Sequence, residues 1–116
     1  MSKILIALEV SDEAIIDIID GAEEGGIGYW ATRSVHDKAN RTLAITDSQD
    51  NKTITITYDQ IVNAISDLVN RRVSISTHIT DAITSDLASE DYGCHMDAEC
   101  YDVIIQVALF GDVVYG

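Results

Sequence analysis

The chain is predicted to be an α+β protein: a small antiparallel sheet of three to four strands packed with about four helices. Two short alternating stretches joined by a polar turn lie mid-chain, and apolar stripes of helical period flank them. Glycines stand where those helical patterns stop. The length of 116 residues suits a single domain, 1–116.

Residues 3–9 form an apolar run closed by Glu9 and read as a first strand. They do not read as a signal peptide, so a cytoplasmic location is expected. Ser11-Asp12-Glu13 then opens a helix, with a capping oxygen and acids in the first turn. Ile15, Ile18, Ile19 and Ala22 share one face of it, and Glu13, Asp17, Asp20 and Glu24 line the other. The helix is expected to end on a left-handed residue at Gly25-Gly26. Residues 28–37 are expected to be extended, with Tyr29, Ala31, Arg33 and Val35 on one face and Trp30, Thr32, Ser34 and His36 on the other. Residues 41–46 and 53–58 should pair as a hairpin across Asp47 to Lys52.

Three helices follow. Ile61, Ile65, Leu68 and Val69 mark one, ending at Arg71-Arg72; Ile75, Ile79, Ala82, Ile83 and Leu87 mark the next. After a polar loop, 89–96, Asp97 can cap a final helix that Gly111 stops. That last helix is apolar on most sides, the mark of a central element, and Glu99, Asp102 and Gln106 form its one polar stripe. The apolar ending Val113-Val114-Tyr115 should dock on the body or on a neighbouring subunit.

The net charge of −13 is unevenly spread. Residues 1–32 and 73–116 are strongly acidic, whereas 33–72 hold six of the seven bases. Such a surface disfavours direct binding to nucleic acid or to anionic lipid. No apolar run approaches the ~18–20 residues of a membrane span.

The segment Gly25-Gly26-Ile27-Gly28-Tyr29-Trp30 combines backbone freedom with two large rings, one of them the only tryptophan. Read functionally, the amides of Gly26 and Gly28 approach an anion, Tyr29 or Trp30 stacks on a flat ring, and Arg33 holds phosphate through its planar fork. Read structurally, the glycines end a helix and the two aromatics begin a core strand. Arg71 and Arg72 are either a phosphate or carboxylate clamp or a helix end. Asp102 and Gln106, one turn apart on an apolar helix, need partners if buried. Those partners are an internal network, a ligand or another subunit.

Cys94, His95 and Cys100, with Asp97 or Glu99, lack the usual structural zinc spacing, so no metal is expected and the thiols read as free. His78 reads as a core-edge residue. No serine or cysteine shows a base–nucleophile pattern and no carboxylate pair stands out. The chain is accordingly read as non-enzymatic, without a cofactor.

Two segments carry a resemblance. Gly25-Gly26-Ile27-Gly28-Tyr29-Trp30-Ala31 and the ending from Asp102 to Gly116 resemble a group of small bacteriophage-encoded proteins with a GGxGYWA motif and a C-terminal QxALFGxxxYG motif. The resemblance implies a phage accessory protein in a bacterial cytoplasm and transfers no catalytic residue. It adds to the expectation that the two segments meet in space.

Three functions are consistent with these residues. The first is capture of a small nucleotide-like or planar anionic molecule in an oligomer-associated pocket. There Tyr29 or Trp30 would stack, Arg33, Arg71 and Arg72 would neutralise charge, and Asp102 and Gln106 would read polar edges. The second is an acidic, DNA-mimicking inhibitor of a basic host protein. The third is a self-associating structural component of the phage.

Overall fold

The computed structural model describes residues 10–73, 75–89 and 96–116. The expected first strand, 3–9, lies outside them, as do Cys94 and His95 of the polar loop. Within the described residues three helices and a π-helical turn enclose a three-stranded antiparallel sheet's inner face together with a central fourth helix, so the predicted α+β class holds.

Helix α1 spans Asp12–Gly21. The Ser11 hydroxyl accepts the Ala14 amide at 3.2 Å, which satisfies one of the donors that every helix start leaves open. Ala14, Ile15, Ile18 and Ile19 are buried on its inner face. The helix does not stop on a left-handed glycine. It widens into a π-helical turn, Ala22–Gly26, and Ile27 follows in ordinary right-handed geometry. Gly26 is required for another reason: a Cβ there would stand 2.9 Å from the Ala98 carbonyl oxygen. The glycine lets the turn touch the start of the last helix.

Strands β1 (Ala31–Asp37), β2 (Thr42–Asp47) and β3 (Thr53–Thr57) pair in that order, all antiparallel. A bulge between Ala31 and Arg33 breaks the strict alternation that sequence suggests. Ala31 pairs with buried Asp47 and Arg33 with Thr46, so the two residues expected on one face lie on opposite faces. Leu43, Ile45 and Ile56 fill the inner face, and threonines dominate the outer one.

Tyr58 begins α2 (Tyr58–Val69) rather than ending β3. Thr57 and Gln60 form a reciprocal capping box there, with the Thr57 amide donating to Gln60 Oε1 at 2.8 Å. Helix α3 spans Thr77–Ser89 and α4 spans Ala98–Phe110. As expected, Asp97 caps α4 by accepting the Cys100 amide at 3.1 Å, and Gly111 stops it with φ +79°. Helix α4 is central: every residue from Asp102 to Val107 is buried. No helix among the described residues is long and apolar enough to cross a membrane.

Candidate functional site

The glycine–aromatic segment and the polar stripe of α4 do meet. Asp102, only 7% exposed, accepts three hydrogen bonds. Trp30 Nε1 donates to Oδ1 at 2.8 Å, Gln106 Nε2 to the same oxygen at 2.9 Å, and the Tyr29 hydroxyl to Oδ2 at 2.5 Å. Three donors offset the cost of holding a carboxylate away from water.

Gln106 is fully buried and uses its whole bonding capacity. Its Oε1 accepts the Val114 and Tyr115 amides, both at 2.8 Å. Its Nε2 donates to Asp102 and, at 3.1 Å, to the Tyr115 carbonyl. The apolar ending therefore docks on the body of its own chain. Tyr115 completes the attachment, its hydroxyl lying 2.7 and 2.8 Å from the two oxygens of Asp47. The Tyr115 ring stacks on Trp30, with centroids 5.4 Å apart and planes 12° from parallel.

This geometry separates the two adjacent aromatics. Trp30 is 1% exposed, packed against Tyr115 and Phe110, and belongs to the core; it presents no face to a ligand. Tyr29 is 58% exposed. Its hydroxyl is pushed up to about 12, first by burial of that end and then by the bond to the Asp102 carboxylate.

Tyr29 stands on the wall of a cleft of about 400 Å³. Asp102, Tyr115 and Gly116 also line it, with Ile75, Ser76 and Ile79 from the start of α3 and its approach, and Glu99, Val103 and Val113. Among the described residues, the charged groups of this lining are both carboxylates.

The arginines expected to neutralise an anion are elsewhere. Arg33 is exposed on the outer face of β1. Arg71 takes a left-handed conformation just after α2, φ 57°, and lies 3.5 Å from Asp81; Arg72 lies 3.2 Å from Asp67. Gly26 faces the α4 backbone, Gly28 has open space beside it, and neither lines the cleft. Of the expected contact residues, the cleft thus gathers Tyr29 and Asp102, with Gln106 and Trp30 holding them from behind.

Sequence reasoning missed that Ser76 and Glu99 line the cleft. Ser76 Oγ lies 2.8 Å from His78 Nδ1, and His78 Nε2 lies 3.8 Å from Glu99. His78 is exposed rather than at the core edge. The His78–Glu99 contact is longer than a hydrogen bond, and both side chains are largely exposed. The Ser76 carbonyl accepts the Ile79 and Thr80 amides at the start of α3. Cys100 is buried and its thiol is pushed up to about 11 by that burial, which makes it a poor nucleophile.

No family model, curated protein or solved structure matches this chain.

Proposed function

We propose that this protein is a non-enzymatic binding protein that holds a small planar molecule, neutral or cationic, in the cleft beside Tyr29. The observation that carries the reading is the lining itself: an accessible aromatic ring, the aliphatic side chains of Ile75, Ile79, Val103 and Val113, and, among the described residues, Glu99 and Asp102 as its charged groups. Concave, mostly apolar sites with a few fixed polar groups are the usual form of small-molecule sites. A phosphate would meet two carboxylates here, so the nucleobase end of a nucleotide-like ligand suits the cleft better than the anionic end. In the phage setting that the motifs imply, the role would be capture of a host metabolite or signal in the bacterial cytoplasm.

Thermal-shift titration with adenosine, AMP and tyramine tests this. Adenosine and tyramine should stabilise the wild-type chain, AMP should do so less, and Tyr29→Ala should abolish the response while staying folded. A response to AMP stronger than to adenosine, unchanged in Tyr29→Ala, would contradict it.

One observation favours a second reading, mimicry of DNA toward a basic host protein. Glu13, Asp17, Asp20 and Glu24 are all exposed along α1 and the turn that follows. Four helical residues rise by about 6 Å, so Glu13 and Asp17 repeat along the axis as a short acidic row. Salt-sensitive retention on an immobilised basic DNA-binding protein, lost when the four acids are neutralised together, would support it.

A further inference from the structure

We infer that Asp20, Glu23 and His36 form a binding site for a divalent transition-metal ion, on the side of the molecule where α1 runs into its π-helical turn. One ligand atom from each of the three lies within 4.8 Å of the other two. The set is mixed in chemistry and in origin: two carboxylates one turn apart on the helical segment, and an imidazole from the facing strand β1. Donors bound at about 2.0–2.2 Å to one ion in tetrahedral geometry stand about 3.4 Å apart. Side-chain rotations that draw the three atoms together by about an ångström therefore bring them onto one ion.

Two of the three donors are already oriented from behind. His36 Nε2 is 2.5 Å from the hydroxyl of buried Tyr58, and Ser34 Oγ donates to Glu23 Oε2 at 2.5 Å. With Tyr58 at Nε2, the ion would be taken by Nδ1. Such outer contacts fix ring orientation and tautomer in metal sites. The π-helical turn begins between the two acids, and such widened turns recur at functional sites. The donor set has one imidazole and two carboxylates, with water completing the shell. That composition suits Mn²⁺ or Zn²⁺ better than a thiolate-preferring ion, and the chain's net charge of −13 favours cations generally.

Mn²⁺ is the more discriminating probe, because cysteine thiolates compete poorly for it. Titration of the full chain, followed by loss of the free-ion signal in electron paramagnetic resonance, should show one Mn²⁺ bound per chain. His36→Ala should weaken binding at least about tenfold, and so should the surface double variant Asp20→Asn/Glu23→Gln. The latter decides the matter if His36→Ala loses its fold along with the Tyr58 contact. His78→Ala and Cys94→Ser/His95→Ala should leave binding unchanged. Absence of binding up to about 1 mM ion, the weak end of useful affinity, would overturn the assignment. So would binding that survives the Asp20/Glu23 double variant.

Discussion

Trp30 and Asp102 are 72 residues apart, and the indole nitrogen donates to the carboxylate across 2.8 Å inside the core. This bond joins the segment after the first helix to the middle of the last one. It also decides what each residue is for. Trp30 is held inward, and Asp102 is left with one oxygen for the hydroxyl of Tyr29, whose ring remains at the surface.

Asp102 acts chiefly as an acceptor for three donors. Asp102→Ala leaves the Trp30 and Gln106 donors buried without that partner and should destabilise the protein by about 1–3 kcal/mol or more. Asp102→Asn keeps Oδ1 and should cost clearly less. Denaturant melts of the two variants check the order. Equal losses would show that the charge, not the acceptor, matters.

Gly26 and Gly28 should respond differently to the same change. Gly26→Ala drives a methyl to 2.9 Å from the Ala98 carbonyl oxygen and forces α4 or the π-helical turn to shift, whereas Gly28 has nothing within 4 Å. A melting temperature lowered by several degrees in Gly26→Ala and nearly unchanged in Gly28→Ala is the expected result.

Gln106 holds the ending of the chain by both ends of its amide. Gln106→Leu removes two acceptor contacts and the donor to the Tyr115 carbonyl. Hydrogen exchange at the Val114 and Tyr115 amides should speed up markedly in this variant. Exchange in α1 should change far less.

Stability should fall in strong alkali. The Tyr115 hydroxyl is pushed up to about 12 by its bond to Asp47 and then by burial, and Tyr29 reaches about 12 as well. Unfolded tyrosine ionises near 10, so between the two values the folded chain keeps protons that the unfolded chain has lost. Their contribution is complete below pH 10 and declines up to about pH 12. Melting temperature should drop across that window, and Tyr115→Phe should flatten the drop.

Cys100 should be unreactive in the folded protein. In a Cys94→Ser background, a disulfide reagent at pH 8 should label it only after denaturant is added, because its thiol reaches about 11 and is buried.

Local chemistry made much of the fold legible. Ser11, Asp97 and Gly111 mark helix ends through bonds that lie within a few residues, and the alternating threonines of β3 announce its outer face. The capping box was also readable, as Thr57 followed three residues later by Gln60, but the β-like run through Tyr58 masked it. The π-helical turn and the bulge at Ala31 and Arg33 were not readable, because both answer to packing against distant chain. The same holds at the cleft. That Asp102 and Gln106 would need partners follows from their place on an apolar helix, yet nothing local says whether Tyr29 or Trp30 turns inward. Charge counting found the basic middle of the chain but not where it points: Arg71 and Arg72 pair with Asp81 and Asp67 and do not line the cleft.

The cleft beside Tyr29 is tested most directly by mapping amide chemical-shift changes during titration with adenosine, and separately with AMP. Adenosine shifts should concentrate at Ser76, Glu99, Tyr115 and Gly116, with AMP weaker at the same residues. Shifts gathered instead around Arg33, Arg71 and Arg72, or none near Tyr29 with either compound, would contradict it.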